Sequence, residues 1–301
     1  MTERSQGRVI AAHGRHYTVE VQDGALIKCF PRGKKNDAAV GDYVEITMQG
    51  ADEAALEKIL ERKNLLYRSD ENRSKQFAAN VDQLLIVIAV APNFSDDLLG
   101  RSLAGAWSAN ITPIIVLNKV DLLDGLAAAR AKLEPFQQLG VQIIEICAKD
   151  ARQVETLILP LLKGKTSMLL GQSAMGKSTL LNTLVPLALA ATREHSVALG
   201  AGKHTTTSTR LYHLPQGGGE LIDSPGFQGF GLLHLSREEI EQGFPEFSPH
   251  IPACRFYNCT HQHEPDCGVL AALGRGEINA ARHALYLRLI EAKASHDSHY
   301  S

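Results

Sequence analysis

No stretch of this 301-residue chain approaches the roughly 18 consecutive apolar residues that a membrane-spanning helix requires. The longest apolar run, within residues 81–91, has the length of a core strand. Residues 1–8 are polar and lack the apolar stretch of a secretory signal, so a cytoplasmic protein with no membrane partner is expected. Charge excess is missing too: 31 Lys+Arg against 33 Asp+Glu leave a net charge of −2. Any nucleic-acid partner must therefore meet a local patch and not the molecule as a whole. Internal repeats and low-complexity tracts are absent. Cysteine is scarce, with five residues. Three of them crowd between positions 254 and 267 among histidines, which in a cytosolic chain favours metal over disulfides.

What is present divides the chain in three. Residues 7–10, 17–21, 25–30 and 42–47 are short β-prone runs punctuated by Gly14, Asp23, Gly24, Pro31, Gly33 and Gly41. They predict an OB-like barrel over residues 1–65. A loop with Arg32, Lys34 and Lys35 reads equally as a solvated turn or a phosphate contact. Residues 66–80 are polar and read as a linker that opens a second unit, 66–233. There, apolar runs at 81–90, 112–117, 142–146 and 167–170 alternate with helical stretches at 98–110, 125–139 and 154–162. Apolar, β-branched runs without alternation, separated by helices, predict a parallel sheet covered on both faces, hence an α/β unit. The third unit, 234–301, opens on the capping box Ser236 to Glu239. It then carries the Cys/His cluster and helical stretches at 269–273 and 280–294, with residues 296–301 expected to fray.

Gly171, Gln172, Ser173, Ala174, Met175, Gly176, Lys177 and Ser178 satisfy the phosphate-loop pattern, and Thr179 opens the helical pattern behind it. Backbone amides of such a loop wrap phosphates, Lys177 reaches the β- and γ-phosphates, and the Ser178 hydroxyl ligates magnesium. Base choice falls to Asn118, Lys119, Val120 and Asp121, directly after the run 112–117. A carboxylate at Asp121 accepts from the two adjacent guanine donors, a pair adenine lacks, so guanine nucleotides are expected. Asn118 would tie this loop to the phosphate loop, with the Lys119 stem over the base. Cys147, Ala148 and Lys149 end the run 142–146 where a second guanine contact is expected, with the Ala148 N–H meeting the guanine oxygen.

Asp223 and Gly226 frame a D-x-x-G element, placing Asp223 on magnesium through water and the Gly226 N–H on the γ-phosphate. Between phosphate loop and Asp223 lies a glycine-rich stretch, 200–207, ending in Thr205, Thr206 and Thr207. One of these hydroxyls should close on magnesium, with Thr206 the first choice. The glutamine that often follows D-x-x-G is absent, and Phe227 stands there. Slow intrinsic turnover is expected, with His204 the nearest candidate to orient water. Ala174 gives no reason to expect a potassium requirement. Base motif before phosphate loop is a permuted order. It makes Asp223 and the residues after it the exit of the α/β unit, and predicts that the switch is wired to the C-terminal unit. Cys254, Cys259, His261 and Cys267 offer three thiols and an imidazole, the donor set of one structural tetrahedral zinc, with His263 a rival for His261.

Together these residues resemble the ribosome small-subunit-dependent GTPase A (RsgA) family of bacteria over nearly the whole chain. The signatures that carry the resemblance are Asn118 to Asp121, Gly171 to Ser178, Gly202 to Thr207, Asp223 to Gly226, and the Cys254, Cys259, His261, Cys267 set. Lys203 stands where arginine is usual. The resemblance implies an OB domain, a circularly permuted GTPase domain and a C-terminal, mainly helical zinc domain. It also implies GTP and GDP as ligands with Mg²⁺, turnover stimulated by the small (30S) ribosomal subunit, late subunit maturation, and 16S ribosomal RNA as partner of a monomer. In the family, the histidine before the threonines, here His204, is held to aid hydrolysis. One other class remains open, an RNA-binding adaptor that senses guanine nucleotides; a small-molecule kinase is disfavoured by the N-K-x-D motif and the Cys/His cluster.

Overall fold

The computed structural model describes residues 4–32, 37–70, 73–186, 209–223 and 232–300. The loop cations Lys34 and Lys35, the stretch with His204 and Thr206, and Gly226 and Phe227 lie outside the described residues.

Five strands form the N-terminal barrel: β1 (Arg4–His13), β2 (His16–Val21), β3 (Leu26–Pro31), β4 (Tyr43–Met48) and β5 (Glu53–Ile59). Their order is β1-β2-β3-β5-β4, and β4 pairs back onto β1 to close the barrel. All neighbours are antiparallel except β3 with β5. This is the OB-like topology. Alternate residues point inward, so Val9, Tyr17, Val19, Ile27, Cys29, Val44, Ile46, Ala54 and Leu56 make a core of their own.

The stretch expected to be a linker is instead a hairpin, β6 (Leu65–Asp70) with β7 (Arg73–Ala79). Leu66 and Phe77 are buried there, and that apolar anchorage orders an otherwise polar segment. The α/β unit follows with β8 (Gln83–Ala89), α1 (Asp96–Ser108), β9 (Thr112–Asn118), α2 (Leu126–Gln138) and β10 (Gln142–Ile146). Next come α3 (Ala151–Gln153), running through a π-helical turn Val154–Ile158 into α4 (Leu159–Leu162), then β11 (Thr166–Leu170) and α5 (Lys177–Leu184). Two strands end the unit, β12 (Arg210–His213) and β13 (Glu220–Asp223).

The sheet order is β10-β9-β8-β11-β13-β12, parallel throughout except for β12. Every residue of β8 and β11 is buried, as strands covered on both faces require. The antiparallel β12 departs from the all-parallel expectation, and it continues onto barrel strand β1. The carboxyl ends of β8, β9, β10 and β11 share one edge, where ligands bind in open α/β sheets.

The C-terminal end is helical: α6 (Arg237–Gln242), α7 (Gly268–Gly274) and α8 (Ala280–Tyr300). Ser236 caps α6 in a full capping box with Glu239. Helix α8 runs through the tail expected to fray, with an Lys293–Asp297 pair at 3.0 Å one turn apart. Among the described residues no helix is long and apolar enough to cross a membrane.

Candidate functional site

Asn118 is the hub. It ends β9, is 3% exposed, and its side chain satisfies three loops at once. Nδ2 donates to the Met175 carbonyl at 2.9 Å. Oδ1 accepts from Lys119 N at 2.8 Å and from Ala148 N at 2.9 Å. Base motif, phosphate loop and the 147–149 loop are thereby clamped at one sheet edge. The Ala148 amide, expected to meet the guanine oxygen, donates to Asn118 Oδ1 at this edge. A buried amide side chain with an unfilled acceptor would cost about 1–3 kcal/mol, and the Lys119 and Ala148 amides both fill it. The loop is fixed further by Thr183 of α5, which donates to the Ala148 carbonyl at 3.0 Å, and by Gln153, which accepts from Cys147 N at 2.9 Å. Asp121 and Lys149 stand exposed at the rim.

The phosphate loop joins β11 to α5. Gly176 has φ +94°, and a Cβ there would lie 2.1 Å from Asn118 Nδ2. Only glycine permits the base-motif asparagine and the phosphate loop to meet. Gly171 is held likewise, since its Cβ would fall 2.2 Å from the Val87 carbonyl. Lys119 and Ala174 both adopt left-handed backbone, and Lys119 Nζ donates to the Ala91 and Ala174 carbonyls, each at 2.8 Å. Lys119 thus arches over the loop, while Met175 beneath is buried and Ser173, Ala174 and Ser178 face outward.

Lys177 opens α5, and its ammonium donates to the carbonyls of Gly171 and Gln172. Burial pushes its pKa below the usual lysine range, opposed by the nearby Asp223 carboxylate at the end of β13. An ammonium held in this loop beside a carboxylate is equipped to meet phosphate oxygens and a hydrated cation. Val120 and Thr179 complete the sequence-predicted set at this edge. His204, Thr206 and Gly226 cannot be placed against it, lying outside the described residues.

At the other end, Cys254, Cys259, His261 and Cys267 bring their ligand atoms within 4.8 Å of one another. Cys254 Sγ lies 3.9 Å from Cys267 Sγ and 3.7 Å from His261 Nδ1, and His261 Nδ1 lies 3.4 Å from Cys267 Sγ. With zinc–sulfur bonds of about 2.3 Å, a tetrahedron has S···S edges of about 3.8 Å, so the Cys254, His261 and Cys267 spacings already suit zinc and Cys259 lies close enough to complete the set. His263, the rival, is exposed outside the cluster. His261 Nε2 meets Glu241 Oε2 at 2.9 Å, the carboxylate partner that fixes a ligating histidine ring.

Several contributors escape sequence reasoning. Glu241 sits 20 residues from its histidine in α6. Gln172 Oε1 accepts from Ser95 N at 3.0 Å, pinning the phosphate loop to the cap of α1. Glu264 gathers the amides of Thr260, Gln262 and His263 and the Thr260 hydroxyl. Only Glu264, an acid inside a metal-ligand loop, left a local signal.

Residues 59–233 match the family model described as RsgA GTPase. The chain is 68% identical over 294 residues to the small ribosomal subunit biogenesis GTPase RsgA of Bordetella pertussis, covering 98% of both chains. It is 56% identical over 290 residues to the protein of that name in Burkholderia pseudomallei, covering 96% of this chain and 92% of that one. Among solved structures it is similar to YjeQ from Thermotoga maritima, with TM-score 0.73 and 32% identity over 97% of this chain and 99% of the other. It is also similar to YloQ, described as a circularly permuted GTPase, with TM-score 0.69 and 29% identity over 97% and 96%.

Proposed function

The chain belongs to the RsgA GTPase family, a circularly permuted GTPase, and from that premise we propose that it acts in late maturation of the small ribosomal subunit, where subunit-stimulated GTP hydrolysis times its release. The names of its relatives supply the subunit. The Asn118 clamp supports the nucleotide reading most directly, since one side chain joins base-reading and phosphate-binding loops.

In this reading Asp121 selects guanine, with Lys119 and Val120 beside it and the Cys147, Ala148, Lys149 loop behind. The phosphate-loop amides, from Gly171 to Thr179, take the phosphates with Lys177. Ser178 and Thr206 would hold magnesium, with Asp223 acting through water, and the ion would supply neutralisation of the charge that develops on the phosphates. The Gly226 amide reports the γ-phosphate, and His204 orients the attacking water that Phe227 cannot. Zinc held by Cys254, Cys259, His261 and Cys267 is structural, because four protein ligands leave no open position. The OB-like barrel and the zinc end meet 16S ribosomal RNA, the protein acting as a cytoplasmic monomer.

Sedimentation with purified small subunits tests the timing. Co-sedimentation in a non-hydrolysable GTP analogue and loss of it in GDP is the expected result. Equal retention in both nucleotides would remove release timing from the account.

A further inference from the structure

Barrel and nucleotide sheet meet along one strand edge, and the contact is built at a bulge. In the β1–β2 ladder Val9 pairs with Val19, but the next pair is Ala11 with Thr18, leaving Ile10 as the extra residue. The bulge sends neighbours into different cores. Val9 is buried in the barrel, and Ile10 is buried in the core of the nucleotide sheet. One residue on, Ala11 pairs with Arg210 of β12. Arg210 in turn lies opposite Asp223 of β13. A single strand therefore separates the barrel from the carboxylate beside Lys177.

The other end of β13 is held from the barrel as well. Arg8 pairs with Glu220 at 2.7 Å, their side chains 10% and 20% exposed. Thr166 donates its hydroxyl to the same Glu220 oxygen at 2.6 Å and accepts from Arg8 at 3.0 Å. Arg8 also donates to the Tyr43 hydroxyl on β4. Across β12, His213 meets Glu20 of β2 at 2.6 Å. The hairpin β12–β13 is thus gripped at both ends by barrel residues.

We propose that Arg8 and Glu220, with the bulged Ile10, are positioning residues that set Asp223 at the height magnesium requires, so the barrel's attachment tunes GTP hydrolysis. The proposal rests on reading Asp223 as the magnesium-side carboxylate. A strand rises about 3.3 Å per residue, so a small slip of β13 moves Asp223 by a fraction of that, and misplacement on the 1 Å scale costs up to about 100-fold in rate.

The test is GTP turnover of the full-length protein alone, at saturating GTP, as Mg²⁺ is titrated. Arg8→Met keeps the stem and removes the charge, and Arg8→Lys is the conservative control. The expected result is a rise of about tenfold in half-saturating Mg²⁺ for Arg8→Met, mostly recovered in Arg8→Lys. A Mg²⁺ curve for Arg8→Met that overlays wild type, or a shift that Arg8→Lys fails to recover, overturns the proposal. Asp223→Asn separates the layers. If it leaves the Mg²⁺ curve unchanged, the reading of Asp223 falls and this inference with it. If it shifts the curve while Arg8→Met does not, only this inference falls. Should Arg8→Met not fold, hydrogen exchange on the wild-type protein decides. Amides of residues 9–12 are expected to gain protection when Mg²⁺ is added to the GTP-analogue complex, and unchanged exchange there overturns the proposal.

Discussion

The barrel encloses a core of its own, with Val9, Val19, Val44 and Ile46 fully buried inside a ring of closed strands. The zinc-loop end has no separate core. Phe244, Phe247, Tyr286 and Leu289 belong to the same apolar cluster as the nucleotide sheet. They dock on α1 through Arg282, which is 3% exposed, pairs with Glu246 at 2.7 Å, and lies 4.4 Å from the Phe244 ring centre and 5.3 Å from that of Trp107. Arg288 adds a pair to Asp97 at 2.8 Å, and Ser108 of α1 donates to the Glu239 carbonyl at 2.7 Å. One end is a closed module joined by a strand edge and an ion pair. The other is two short helices and one long one, completed by a shared core and a four-ligand cluster. Self-closure makes the barrel's stability local, whereas the C-terminal end leans on α1 and on its four-ligand cluster.

Zinc removal should break the comparison hardest. Structural zinc contributes about 10–16 kcal/mol of binding free energy in small zinc domains. Chelation, or Cys259→Ser, should therefore release hydrogen-exchange protection in α6, α7 and α8 and leave β1 to β5 as protected as before. Loss spread evenly over both ends would make the asymmetry wrong. Next comes Arg282→Met, which leaves Glu246 buried without its partner, a loss of about 3–5 kcal/mol in urea unfolding. Replacing both Arg282 and Glu246 with apolar residues should recover most of it, and a double variant as weak as the single one would contradict the pair's role. A substitution between the two ends sharpens the contrast. Asp121→Asn should weaken GTP about 100-fold and favour xanthosine nucleotide, with zinc content and barrel protection unchanged. Nucleotide competition measures the selectivity, and an unaltered preference would take base reading away from Asp121. The smallest effects belong to exposed pairs. Lys28→Ala in the barrel, against Glu53, and Arg255→Ala in the zinc loop, against Asp266, should each change unfolding free energy by about 0–1 kcal/mol. Here the two ends should behave alike, and a cost well above that range at either one would show a network the pairs do not account for.

The same contrast explains what could be read in the sequence. Barrel strands β1 to β4 announce themselves by β-branched and aromatic residues between turn glycines. β5 does not: Glu53–Ile59 reads EAALEKI, a composition that favours helix, and closure between β3 and β4 overrides it. Strand β12, four residues long, is recruited by partners on both sides. The nucleotide edge was legible because each element is contiguous: Asn118 with Asp121, Gly171 through Ser178, and the 147–149 loop. Contacts that cross the chain were not. Arg8 meets Glu220, Gln172 meets Ser95, and His261 meets Glu241 only after folding, and no spacing rule links them. The Ala148 amide belongs with them: its position at the sheet edge follows from the motif, but its bond to Asn118, 30 residues away, has no local signal. The permuted order predicted that the switch is wired to the C-terminal end. The segment that would carry it lies outside the described residues, and the described contacts run by two other routes, β13 to the barrel through Arg8 and the phosphate loop to α1 through Gln172.

The middle of the chain carries the GTPase motifs, and the proposed function gives both ends the task of holding a partner that governs them. Phosphate release by the intact, zinc-loaded protein, measured as purified small ribosomal subunits are titrated in, tests that division most directly. The account predicts a low rate alone and a saturating rise as subunits bind. Subunits that bind without raising the rate would contradict it.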